Sequence, residues 1–259
     1  VINLVGILKP SGGRTFNAIH NDGAAAVARL AAKAGVGRLI HISAIGADPA
    51  ARAVYASSKG EGEAAVRQAF PRATILRPSV VFGQGDGFFN RFAALMRMSR
   101  VVFPLFGGGQ TKFQPVFVGD VADAVANAAA DARTQGRTYE LGGPAAYTLK
   151  EILELVAKTT DRKRMWVPIP FFLLDLGAML TGWLPFAPIT LDQARLLRND
   201  NVVKAGADAA NVGTLVDLSR DKDQGVRSAA LQALAQNGTP EAVDGLIDAA
   251  GDEDSQIRA

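Results

Sequence analysis

Tyr55 and Lys59 stand four residues apart in "AVYASSKGEGEAAV", residues 53–66. On a helix that spacing puts both side chains on one face, where the lysine ammonium favours the ionised form of the phenol. A free phenol titrates near pKa 10, roughly three units above neutral, so it is a poor base without such a neighbour. The pair is therefore either a proton donor and acceptor or two solvated side chains on a helix surface. Its position favours chemistry: it opens a helix after a strand ending in "HISAIG". Ser43 then falls where the carboxyl ends of strands in open parallel sheets gather ligand-binding groups. A serine hydroxyl there can hydrogen-bond a carbonyl or an alcohol, and three such groups at neighbouring element ends define a candidate site.

The elements that must position these residues follow from the pattern. "VINLVGIL" reads as a buried strand, the alanine-rich run from Asn21 to Gly35 as a helix, and "GRLIHISAIG" as the next strand. A helix from Tyr55 to Phe70 leads to the strand "RATILRPSVVFG" and to a helix through "FFNRFAALMRMS". "TKFQPVFVGD", a helix "VADAVANAAADA" and a strand "TYELGG" precede "TLKEILELVAKTT", which opens at Thr148 with a Thr-x-x-Glu capping box. This alternation predicts an α/β fold, a doubly wound parallel Rossmann-like sheet with right-handed crossovers.

Composition narrows the chemistry. The chain has 259 residues and 48% hydrophobic content, enough for a sizeable core. It has no cysteine and two histidines, which excludes disulfides and thiolate sites and makes no metal site expected. Residues 1–203 carry 23 basic and 15 acidic side chains and residues 204–259 carry 5 and 10, so two segments of different character are predicted, 1–203 and 204–259. The mild basic excess of the first serves solubility, a phosphate-bearing ligand or an anionic membrane surface; no nucleic-acid partner is expected. The chain begins inside an apolar run without methionine, basic n-region or cleavage site, so a preceding segment is expected rather than a signal peptide. Residues 166–189 form the most apolar stretch, yet Pro168, Pro170 and Pro185 leave only 14 uninterrupted residues with Asp175 among them. A helix capping the substrate side, or one docking on a membrane surface or partner, fits better than a membrane span. In the tail, "LVDLSRDKDQGVRS" at 215 recurs as "LIDAAGDEDSQIRA" at 246, an offset of 31 residues. The tail is predicted to be a short all-α segment of helical hairpins, cut soon after its second unit begins. The repeat resembles HEAT-type repeats, which suits a protein-binding scaffold.

Ser43, Tyr55 and Lys59, with "NLVG", "ILRPSVVFG", "FQPVFVGDVADAV" and "YELGGPAAYTLKEIL", together resemble an extended or atypical short-chain dehydrogenase/reductase of the NAD-dependent epimerase/dehydratase type. "RPSVVFGQGDGFFNRFAAL" and "PITLDQARLLRNDNVV" are similar to the branch that includes the Rossmann-type accessory subunit of respiratory complex I, the NADH:ubiquinone oxidoreductase. The resemblance spans residues 1–203. It implies an NAD(P)(H)-binding protein whose nucleotide, NADP(H) or NAD(H), is structural and whose partners are complex I subunits or the membrane surface. The implied location is the cytoplasm, peripheral to the inner face of the cytoplasmic membrane. An active oxidoreductase, epimerase or dehydratase is the alternative, and a helical-repeat interaction scaffold the third.

By that resemblance Tyr55 would be the general acid/base. Lys59 would hold the nicotinamide ribose and lower the tyrosine pKa, and Ser43 would orient a substrate oxygen. Gly6 would let backbone approach the cofactor, and Pro78, Ser79 and Val80 would flank the nicotinamide. The family's usual asparagine is replaced by His20, which serves the relay or is a surface histidine at a helix start. The Gly-x-x-Gly-x-x-Gly phosphate loop is absent, and the strands preceding it are expected to be missing; "GQGDG" at 83–87 and "FGGGQ" at 106–110 read as substrate-side loops. Asp120 is expected to cap a helix, His41 to be a core residue, and Arg77 to pair with a carboxylate or meet a substrate anion.

Overall fold

The computed structural model describes residues 1–99, 101–181 and 190–204; the expected helical-repeat segment and the end of the 166–189 stretch lie outside the described residues. In chain order, β1 (Ile2–Asn3) is followed by a π-helix (Asn17–Gly23) that runs straight into α1 (Ala24–Lys33), then by β2 (Ile40–Ile42), α2 (Val54–Ala69) and β3 (Thr74–Pro78). An outer set comes next: β4 (Val81–Phe82), α3 (Phe89–Met98), β5 (Val102–Phe106), β6 (Lys112–Phe113), β7 (Val116–Phe117) and α4 (Val118–Ala130). The described order closes with β8 (Thr138–Leu141), β9 (Tyr147–Thr148), α5 (Leu149–Thr159), β10 (Met165–Ile169), α6 (Phe171–Thr181) and α7 (Leu191–Leu196).

The sheet that carries the site has the order β1-β2-β3-β8, and every pair is parallel. This is the expected Rossmann-like α/β layout. Parallel strands need covering, and the unbroken apolar character of Leu39, Ile40, Ile75 and Leu76, all buried, reflects it. Ala24, Ala28 and Ala31, spaced along one face of α1, pack with Val66, Phe70, Leu39 and Ala73. Small side chains let α1 and α2 approach closely above the sheet. A second core joins Met96 of α3, Phe103 and Leu105 of β5, Phe113 of β6 and Leu149, Ile152, Leu153 and Val156 of α5.

Two expectations are corrected. Residues 166–169 are not the start of a helix: β10 pairs parallel with β5 from Met165↔Val102 to Ile169↔Phe106. Pro168 and Pro170 forbid helix there, whereas a two-stranded ribbon tolerates proline and Pro170 immediately precedes α6. The first helix also begins early, as a π-helix from Asn17 rather than an α-helix from Asn21. The capping box at Thr148 is present in full, with Glu151 accepting from the Thr148 backbone amide at 2.7 Å.

Candidate functional site

The carboxyl end of β2 and the first turns of α2 bring Ser43, Tyr55 and Lys59 to one edge of the sheet. Lys59 is buried and its Nζ donates to the Ile42 carbonyl at 3.2 Å. Burial lowers its pKa to about 8, with Glu63 partly offsetting the effect. The Tyr55 ring is half-buried, edge-on to Phe16 at 5.8 Å and to His20 at 5.4 Å between centroids. Burial pushes its phenol up to about 12, opposite to the lowering that the resemblance implies. Ser43 is buried; its amide donates to the Leu76 carbonyl at 2.7 Å, but its hydroxyl has no protein partner. An unpaired buried hydroxyl costs about 1–3 kcal/mol, which a ligand oxygen would relieve.

Gly6 belongs to the same cluster. A Cβ there would lie 3.3 Å from Lys59 Nζ and 3.7 Å from His20 Nε2, so the loop after β1 lies directly on the lysine because it has no side chain. His20 holds that loop in place. It is buried, not on the surface; its Nε2 accepts from the Ile7 amide at 3.0 Å and its Nδ1 is 2.9 Å from Ser58 Oγ. Because Nε2 accepts, Nδ1 carries the proton and donates to Ser58 Oγ, which in turn donates to the Tyr55 carbonyl at 2.9 Å. Burial, then Lys59, lowers the His20 pKa to about 4. With both nitrogens committed, this neutral imidazole ties the β1 loop to α2. Ser58 and Phe16 escaped the sequence reading; a serine beside the lysine of "YASSKG" carries no signal of the histidine it meets.

The other candidates separate into walls and struts. His41 Nδ1 accepts from Asn3 Nδ2 at 3.1 Å, and its buried Nε2 has no protein partner; burial first, then Lys59, lowers its pKa to about 4. Ser43 is two residues on and shares its face of β2. Pro78, Ser79 and Val80 are pinned: the Pro78 carbonyl accepts from Ile45, the Ser79 amide donates to Leu141, and the Val80 carbonyl accepts from Val116. The Ser79 hydroxyl lies 2.7 Å from Asn201 Oδ1, so it is committed within the protein. Arg77 makes a bidentate pair with Glu63 at 2.8 and 2.7 Å and lies 3.7 Å from Glu140. It joins α2, β3 and β8 as a strut. Asp120 sits in the first turn of α4 rather than capping it; burial, then Asp123, raises its pKa to about 6. Beyond β3, the rings of Phe82, Phe88, Phe89, Phe92, Phe113 and Phe117 meet one another at 5.1–5.9 Å.

Among the described residues no helix is long and apolar enough to cross a membrane, and no group of three or more histidine, aspartate or glutamate side chains could hold a metal.

Comparison with known proteins agrees with this layout. The chain is 35% identical to the mitochondrial NADH-ubiquinone oxidoreductase 40 kDa subunit of Neurospora crassa, over 78% of this chain and 53% of that protein. It is 35% identical to the mitochondrial NADH dehydrogenase [ubiquinone] 1 alpha subcomplex subunit 9 of Mus musculus, over 73% of this chain and 50% of that protein. A ceramide reductase of Caulobacter vibrioides is 32% identical over 70% of this chain and 57% of its own length. The chain thus spans about half the length of the relatives it matches. Among solved structures, a dTDP-glucose 4,6-dehydratase from Streptomyces venezuelae with NAD and TYD bound superposes with a TM-score of 0.55 at 18% identity, covering 64% of this chain and 60% of that one. A dTDP-4-dehydrorhamnose reductase from Bacillus anthracis in complex with NADP gives 0.53 at 18% identity, covering 65% of each chain. These two share the fold. A model of HEAT repeats matches residues 199–259, where the sequence repeats at an offset of 31. The model of the RmlD substrate binding domain matches residues 13–170, the stretch that holds Ser43, Tyr55 and Lys59, and the chain belongs to that family.

Proposed function

We propose that this chain forms the nicotinamide side of an NAD(P)(H)-binding protein of the complex I accessory type, in which the nucleotide is retained as a structural cofactor. The observation that carries the reading is the cluster at the end of β2, where Lys59 lies under the side-chain-free Gly6 and Ser43 has an unpaired hydroxyl. Lys59 and Tyr55 would hold the ribose hydroxyls, the backbone at Gly6 would lie along the nucleotide, and Pro78 and Val80 would supply an apolar wall. A bound nicotinamide supplies hydride-transfer chemistry. Here, however, burial pushes the phenol up to about 12, which weakens it as a proton-transfer group near neutral pH, while the lysine, drawn down to about 8, still carries its proton at pH 7. That favours retention over turnover.

The sequence has no Gly-x-x-Gly-x-x-Gly turn, so in this reading the chain supplies the nicotinamide end of the site. The partners in this reading are subunits of a respiratory NADH:ubiquinone oxidoreductase at the inner face of the membrane. Supporting that, α6 exposes Phe172, Leu173, Leu176 and Met179 at helical spacing, an apolar face suited to a membrane surface or a subunit. Residues 1–203 act as the nucleotide domain and 204–259 as a helical-repeat contact.

A second reading is favoured by the six clustered phenylalanines: an active reductase whose carbonyl substrate carries a long apolar group. Fluorescence titration with NADPH, followed by turnover assays with small quinones and apolar ketones, separates the two. Retention of nucleotide without turnover supports the structural role, turnover lost in Tyr55→Phe supports the enzyme, and absence of binding by NADPH and by reduced nicotinamide mononucleotide refutes both.

A further inference from the structure

The first turn of α2 lacks a local cap. Ala53 occupies the N-cap with extended backbone and no side-chain bond, and the preceding Ala51 and Arg52 carry no acceptor. A helix start leaves backbone amides without partners, and these precede the candidate tyrosine. Two of them are satisfied from far along the chain: the Val54 amide donates to Asp192 Oδ1 at 2.5 Å and the Tyr55 amide to Asp192 Oδ2 at 3.0 Å.

We infer that Asp192 is the positioning residue for Tyr55, clamping the first turn of α2 to the outer segment that contains α7. Using both oxygens fixes the carboxylate in plane and in direction, and a negative charge suits a helix N-terminus. The clamp is itself held. Thr190 and Gln193 make a reciprocal capping box around Asp192, Ala194 is fully buried beside Leu174, and Arg195 Nη1 donates to the Arg52 carbonyl at 3.2 Å. Further along the same segment, Asn201 meets Ser79 Oγ at 2.7 Å and its Nδ2 donates to the Ile45 carbonyl at 3.4 Å. One stretch thus reaches α2 through Asp192 and the ends of β2 and β3 through Asn201. Lys59 is anchored separately, to the Ile42 carbonyl. The first turn of α2, which carries Tyr55, is therefore held from α7, while Lys59 one turn further on is held from β2.

Amide hydrogen exchange by NMR on the full chain tests this, with or without nucleotide, so it stands apart from the titration above. Asp192→Ala is expected to speed exchange at Val54 and Tyr55 about five- to tenfold, the usual consequence of losing a cap. Exchange at Glu63 to Val66 stays unchanged, and the Tyr55 ring resonances, shifted by Phe16 and His20, move. Asp192→Asn keeps one carbonyl acceptor and falls between. The inference is overturned if exchange at the two amides does not change, if all of α2 changes by one common factor, or if the Tyr55 ring signals stay put. Should the alanine variant fail to fold, the asparagine variant decides by the same site-selective criterion.

Discussion

Lys59 shows how a single residue trades stability for a site. Its folded pKa of about 8 lies below the ordinary 10.5, with burial as the first cause. Between those values the unfolded chain binds more protons, so stability rises with pH across that window. At pH 7 the lysine is charged in both states and the folded protein carries the cost of the buried ammonium, less its bond to Ile42. Lys59→Met is therefore expected to raise stability at pH 7 by about 1–2 kcal/mol, with the gain shrinking above pH 8. The same change is expected to weaken nucleotide binding at least tenfold. Thermal melts at pH 7 and pH 9.5, with an NADPH titration, check this; a variant less stable at pH 7 would show that the hydrogen bond outweighs desolvation.

At the scale of elements, α2 works because two glycines interrupt a helix that would otherwise favour alanine. Glycine inside a helix costs roughly 1 kcal/mol against alanine, so something must require it. A Cβ at Gly60 would lie 2.5 Å from the Pro49 ring, and one at Gly62 would overlap the His20 carbonyl. The first lets the loop after β2 approach, and the second lets the π-helix deliver His20 to Ser58. Gly62→Ala is expected to destabilise the protein by about 3 kcal/mol or more in urea unfolding, whereas Gly87→Ala, with open space around it, stays within about 0.5 kcal/mol. An equal effect at both positions would sink the argument. The parallel sheet, its helices, and the placing of Ser43 just after β2 and of Tyr55 and Lys59 in the first turns of α2 were legible in the sequence, because period, capping box and strand-end position are local signals. β10 was not. An apolar run bounded by prolines fits a strand or a helix equally well, and its partner β5 lies far away in the chain. The bonds that Asp192 and Asn201 make were equally invisible, since spacing along one strand or helix says nothing about a partner that arrives from another part of the fold.

At the scale of the whole molecule, three buried groups among the described residues act on the acid limb of stability, and they do not pull together. His20 and His41 both have folded pKa values of about 4 against an ordinary 6.5. Below pH 6.5 the unfolded chain binds the extra protons, so each contribution is present in full above pH 6.5 and is lost as pH falls toward 4. Asp120 works in reverse. Its folded pKa is raised to about 6 from 3.8, so between those values the folded protein binds the extra proton and gains stability as pH falls. Near pH 5 two protons are lost to the unfolded state and about one is returned, which leaves a net slope of about 1 kcal/mol per pH unit. Asp120→Asn removes the opposing group and is expected to roughly double that slope. His41→Gln removes one of the two driving groups and brings the slope near zero. Urea midpoints measured from pH 7 to pH 4.5 for the three proteins check the order, and a shallower slope in Asp120→Asn than in the parent would refute it. The formal net charge of +3 predicts none of this, because what matters is that the fold removes His20, His41 and Asp120 from water.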